Sequence, residues 1–112
     1  MIDKTLLSEE ILNEILGNVS KIYDIKIVNS CVIWNNGYVN EINIYELMHL
    51  AKVKLLEYGY SLEVFNPDKN CFEVSVKQYI KGQGEWVEYF EDHGKTEPEA
   101  VLKAFKYALD NK

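Results

Sequence analysis

Near the N-terminus apolar residues recur every four positions. Leu7, Ile11, Ile15 and Val19 form the stripe, joined by Leu12 and Leu16, while Glu9, Glu10 and Glu14 fall on the other side. That period predicts a helix over 5–17. Thr5 or Ser8 would cap its start, the acids suit the positive end of its dipole, and Gly17 is a natural stop. The period then changes to two. Tyr23, Ile25 and Ile27 alternate with Asp24 and Lys26, Asn29-Ser30 interrupts, and Cys31 to Trp34 resumes as a strand. Asn36-Gly37 reads as a two-residue hairpin turn with both positions at positive φ, from which Tyr38 to Ile42 returns.

A second helix opens at Asn43, where Glu46 three residues later completes a capping-box-like pair. Ile44, Leu47, Met48, Ala51, Leu55 and Tyr58 fill one face, and Gly59 ends it. Tyr45, His49, Val53 and Leu56 make a second stripe on roughly the opposite side. A helix apolar on both sides is buried between layers or used in association, so this one is expected to touch both a sheet and either the N-terminal segment or another subunit. Alternation then returns in Tyr60, Leu62 and Val64, and again in Phe72, Val74 and Val76, with Asn66-Pro-Asp-Lys-Asn70 as the turn between them. Lys81-Gly-Gln-Gly84 turns the chain into a third strand over 85–91, and short links make the three an antiparallel meander. Thr96 and Glu99 form a capping box for a last helix, with Pro98 in its first turn and Val101, Ala104, Phe105, Ala108 and Leu109 on its apolar face. The expected fold is α+β. An αβββα core over 43–112, built on an antiparallel sheet of three or more strands, is preceded by a helix and β-hairpin extension over 1–42.

Length supports this as one domain, since 112 residues with 47% hydrophobic content supply one core and not two. No apolar run reaches the ~18 residues that span a bilayer, and the mixed N-terminus does not read as a signal peptide, so a cytoplasmic location is the expectation. Cys31 and Cys71 form no CxxC pair and sit in strand-like runs, where reduced structural thiols are the reading and a disulfide between them is the alternative. The net charge of −6 opposes direct binding to nucleic-acid phosphates. All 12 basic residues are lysines, so the chain has no guanidinium fork of its own. Abundant Lys, Asn, Ile and Tyr with no Arg fits an AT-rich genome such as that of a low-GC bacterium or its phage.

The helix–three strands–helix order over 44–110 is similar to the double-stranded RNA-binding domain. Gly94-Lys-Thr-Glu-Pro-Glu-Ala100, followed by Ala104 and Ala108-Leu109, resembles that family's last helix, whose small residues face the sheet. The family starts this helix with lysines that grip phosphates, where this chain has Glu97 and Glu99. The resemblance therefore implies the topology and opposes the activity. The same segment resembles the small phage and prophage "ABA sandwich" domain. That family has an Ala- and Leu-rich helix ending in Gly (here Ala51 to Gly59), an aromatic-rich meander, and a closing helix entered through a Gly-x-[ST]-x-x-[EA]-A phrase. It implies a phage or mobile-element protein with no assigned chemistry.

One charged stretch stands out. Residues 85–99 carry Glu85, Glu88, Glu91, Asp92, Glu97 and Glu99 against Lys95 alone, and Trp86 and Phe90 interleave with them. On a strand, Glu85, Glu88 and Glu91 are spaced about 10 Å apart, though not all on one face. Such a row imitates phosphates well enough to fill a basic groove on another protein; an edge strand protected by charge, leading into an acid-rich helix start, is the plainer account. Phe65, Tyr79, Trp86 and Phe90 share sheet positions, and partial coverage of the outer sheet face by the N-terminal segment is expected.

Catalytic grammar is sparse. Only His49 and His93 exist, and Cys31, His49, Cys71 and His93 lack zinc-ligand spacing. No local sequence activates either thiol as a nucleophile, and Lys81-Gly-Gln-Gly84 leads into a strand, not the helix a phosphate loop needs. The expectation is a non-enzymatic phage or mobile-element protein without a cofactor. It would bind and inhibit a host protein through its acidic surface, the target being a nucleic-acid-handling machine such as a CRISPR effector. A homo-oligomeric assembly module, dimerising through aromatic surface, and a small-ligand-binding domain are the alternatives.

Overall fold

The computed structural model describes residues 6–17, 22, 24–80, 82 and 84–111, with 79–80 and 85–90 described by backbone alone. Helix α1 (Glu9–Leu16) is capped by Ser8, whose hydroxyl accepts from the Ile11 N–H, and it ends at Gly17 with φ 76°. Of the two candidate caps Ser8 is thus the one used; Thr5, Val19 and Tyr23 lie outside the described residues.

Strands β1 (Asp24–Val28), β2 (Cys31–Asn35) and β3 (Val39–Asn43) form one antiparallel sheet in that order. The expected hairpin is therefore a three-stranded meander. Asn29 and Ser30 do not merely interrupt a strand: both adopt left-handed backbone, at φ 50° and 64°, and make the two-residue turn that pairs β1 with β2. Asn36-Gly37, in contrast, belongs to a three-residue loop over 36–38, with Asn35 paired to Val39 and positive φ only at Gly37. Side chains account for the difference. Asn35 Oδ1 accepts from the Gly37 N–H at 2.9 Å, and Asn40 Nδ2 donates to Asn36 Oδ1 and to the Tyr38 carbonyl, so amide groups close the loop instead of the tight turn.

Helix α2 (Ile44–Glu57) follows β3 without a linker. Asn43 caps it by accepting from the Tyr45 N–H, and the Ile44 N–H donates to the Ser30 carbonyl, tying the helix start to the β1–β2 turn. The second antiparallel sheet, β4 (Tyr60–Asp68), β5 (Cys71–Ile80) and β6 (Glu85–Gly94), has β5 at its centre. One bulge interrupts the β5–β6 ladder, where Tyr89 is the extra residue between the pairs Val76–Phe90 and Lys77–Glu88.

Helix α3 (Glu97–Asp110) starts at Thr96, whose hydroxyl accepts from the Glu99 N–H. The Glu99 carboxylate reaches back to accept from the Lys95 N–H, so both halves of a capping arrangement are present. Gly94 is required just before it, since a Cβ there would stand 2.8 Å from the Ala100 nitrogen.

Helices α2 and α3 pack side by side on one face of the β4–β6 sheet, α2 against β4 and α3 against β5 and β6. Helix α1 and strand β3 pack on α2. A single cluster of buried residues runs from Leu12 and Val32 through Leu47 and Leu55 to Phe105, Val74 and Val76. Tyr58 joins all three helices: its ring lies 6.1 Å from that of Phe105, and its hydroxyl donates to the Glu14 carboxylate of α1.

Two expectations about covering change. The N-terminal segment seats on the helical layer, because the apolar residues of α1 point at α2, and the packing on the β4–β6 sheet comes from α2 and α3. Helix α2 does touch both a sheet and the N-terminal segment, as expected, but its second stripe is not enclosed: Tyr45, His49, Val53 and Leu56 are all exposed, Leu56 at 69%.

Candidate interaction surface

Alternation along β4 and β5 builds the face of the sheet opposite the helices. Val74 and Val76 point inward and are fully buried. Glu73, Ser75 and Lys77 therefore point outward from the central strand. Ladder pairing brings Phe65 beside Glu73 and places Glu63 on one side of Ser75 and Glu91 on the other. Directly opposed side chains in such a ladder have Cβ atoms about 5 Å apart, and diagonal ones about 7 Å.

Glu63, Phe65, Glu73, Ser75, Lys77 and Glu91 line a shallow hollow of about 230 Å³ on this face. Ser75, at its centre, is only 5% exposed because longer neighbours surround it, whereas Phe65 is 53% exposed. Among the described side chains the hollow is lined by three carboxylates and one ammonium. Lys77 Nζ lies 3.3 Å from Glu63 Oε2, leaving Glu73 and Glu91 the excess negative charge of the hollow. Ion pairs this exposed contribute little to stability, so the arrangement shapes the surface more than it holds the fold.

The four described acidic side chains of the run 85–99 do not stay together. Glu91 is exposed and belongs to this face. Asp92, opposite Val74 and so of the other parity, accepts from the His93 N–H at 2.7 Å. Glu97 pairs with Lys52 of α2 at 3.4 Å. Glu99 sits 3.8 Å from Lys103, whose ammonium also donates to the His93 carbonyl. Glu85, Trp86, Glu88 and Phe90 hold register positions opposite Ile80, Tyr79, Lys77 and Val76; their side chains, like that of Tyr79, lie outside the described residues, as do Lys81 and Gln83 of the turn. Of the row expected along one strand, only Glu91 has a described side chain, and the described carboxylates beside it come from two other strands, Glu63 from β4 and Glu73 from β5. Glu63, Glu73 and Lys77 were legible only as residues alternating with the apolar positions of β4 and β5, a signal that charge counting along the chain does not register.

Other chemistry is thin among the described residues. No three His, Cys, Asp or Glu side chains group in a way that could hold a metal ion. Cys31 and Cys71 are both free, half-buried thiols, so the disulfide alternative is not realised. No helix is long and apolar enough to cross a membrane. Comparison with family models, curated proteins and solved structures finds no match to this chain.

Proposed function

We propose that this protein works by binding, using the outer face of the β4–β6 sheet to engage a basic surface on another protein. The observation that carries the reading is the face itself: α2 and α3 pack on its other side, and Glu63, Glu73 and Glu91 line with the exposed ring of Phe65 one hollow on it. An aromatic ring amid surplus carboxylates suits a partner that presents cations on apolar stems. The finer proposal, drawn from the resemblance to the ABA sandwich domain, is a phage or mobile-element inhibitor acting in the cytoplasm. It would occupy the groove of a nucleic-acid-handling protein, an anti-CRISPR-type role, without a cofactor and without catalysis. Glu91 lines this surface, and Glu88 holds the register position opposite Lys77.

The test is binding of purified basic nucleic-acid-handling proteins to the wild type and to a Glu73→Lys/Glu91→Lys variant, measured across ionic strength. Affinity should fall with added salt and collapse on charge reversal, since opposed charges at the rim govern encounter. Affinity indifferent to both rejects the proposal.

A second reading rests on a separate observation. The exposed stripe of Tyr45, His49, Val53 and Leu56 on α2 is the kind of surface a homo-oligomeric assembly module would use. Sedimentation at high protein concentration decides it: a monomer removes the homodimer.

A further inference from the structure

We infer that the hollow on the outer sheet face is a socket for one arginine side chain of the partner protein. This rests on the binding role proposed above and names what that surface grips. Phe65 and Glu73 are directly opposed on β4 and β5, Glu91 is directly opposed to Ser75, and the Glu73–Glu91 diagonal crosses the space between. Diagonal carboxylates with Cβ atoms about 7 Å apart can both reach one cation held midway. A guanidinium suits that place better than an ammonium. It is planar, so it lies against an aromatic ring, and its donors leave in two directions, so it serves two carboxylates at once.

The other wall residues narrow the choice further. Glu63 is already engaged by Lys77 at 3.3 Å, which leaves Glu73 and Glu91 for the incoming group. Ser75 closes the centre at 5% exposure, so the hollow is shallow and takes the end of one side chain, not a folded segment. The occupant comes from a different protein, because this chain contains no arginine at all. A second copy of the chain has only lysines to offer.

The experiment titrates N-acetyl-arginine amide into the full chain and follows backbone amide shifts by NMR, with N-acetyl-lysine amide and sodium chloride at matched ionic strength as controls. Arginine amide should give saturable shifts concentrated at Phe65, Glu73, Ser75 and Glu91. Glu73→Gln/Glu91→Gln should weaken it about tenfold or more, the equivalent of one charge-assisted hydrogen bond. Phe65→Leu, which keeps an apolar wall but removes the ring, should weaken it about threefold. Equal affinity for the lysine amide, shifts reproduced by salt alone, or shifts spread over the whole molecule would each overturn the socket. The failures are separable. A partner interaction still lost on charge reversal, with no arginine-specific shifts, leaves the binding face standing and removes only the socket; loss of neither removes both.

Discussion

Replacing Tyr58 by Phe tests how α1 is fastened to the rest of the fold. The substitution keeps the ring against Phe105, 6.1 Å away, and deletes only the hydroxyl that donates to Glu14. A hydrogen bond to a charged acceptor contributes about 1.5–3 kcal/mol. Tyr58 is half-buried, so the lower end applies, and a loss of about 1.5 kcal/mol is expected. With a urea slope of about 1–3 kcal/mol per molar for a small domain, the unfolding midpoint should fall by roughly 0.7 M. The same bond has a pH signature. Burial, then the Glu14 hydrogen bond and its charge, raise the Tyr58 hydroxyl pKa well above its ordinary value of about 10. The folded state therefore keeps this proton where the unfolded chain has lost it. The stabilisation is complete below pH 10 and declines as pH rises above it, because the folded form then binds more protons than the unfolded one. An isolated group would give a slope of about 1.4 kcal/mol per pH unit, and solvent screening at a half-exposed site reduces this to roughly 0.5–1. Urea unfolding of wild type and Tyr58→Phe at several pH values between 8 and 11 measures both quantities, and the difference cancels the other tyrosines and the lysines. Two curves that run parallel above pH 10, with the same midpoint below it, would refute the reasoning.

Three further outcomes follow from packing and backbone geometry. Gly94→Ala should destabilise by about 1–3 kcal/mol, because the added Cβ meets the backbone nitrogen of Ala100 at 2.8 Å and α3 must shift; thermal unfolding reads it, and an unchanged midpoint contradicts the close approach. Ser30→Gly should stabilise by about 0.5–1 kcal/mol, since glycine carries no Cβ penalty at φ 64°, provided the Ile44 N–H still donates to the residue-30 carbonyl. Phe105→Ala removes a fully buried ring and should cost about 3–5 kcal/mol, a large share of the roughly 5–15 kcal/mol a domain has, read as a marked fall in the thermal midpoint by circular dichroism; an unchanged midpoint contradicts the burial.

The helices were the readable part of the chain, and the reason is local. The start of α3 is written in residues within one turn of one another: Thr96 accepts from the Glu99 N–H, and the Glu99 carboxylate turns back to the Lys95 N–H. Asn43 caps α2 equally locally, accepting from the Tyr45 N–H two residues on, without a return bond from Glu46 among the described contacts. Turns were harder because two chemistries compete for the same residues. Asn36-Gly37 has the composition of a tight turn, yet Asn35 and Asn40 hold it open as a three-residue loop through their own amides. Asn29-Ser30 lacks a glycine and still takes the left-handed backbone at both positions, because pairing five residues on each side of it outweighs a cost of about 1–2 kcal/mol per residue. Propensity alone cannot weigh a ladder that has not yet been built.

The charged surface was legible only in part, and for a reason that holds for sheets in general. Charge clustered along a chain is a one-dimensional fact, whereas a sheet face collects every second residue from strands far apart in sequence. Consecutive acids are thereby separated: Glu91 faces out, Asp92 has the opposite parity, and Glu97 and Glu99, past the strand's end, meet Lys52 and Lys103. Residues that looked unremarkable are brought together instead, Glu63 from β4 and Glu73 from β5 joining Glu91 from β6 in a hollow that Phe65 also lines. Neutralisation by neighbours then decides how much of the formal charge a partner meets. Lys77 takes up Glu63, and what faces outward is the Glu73–Glu91 diagonal, a more local and more selective feature than a net charge of −6 suggests. A partner recognised by such a diagonal is chosen by the geometry of its cation and not by its total charge, which is why exchanging arginine for lysine is a sharper test of this surface than adding salt.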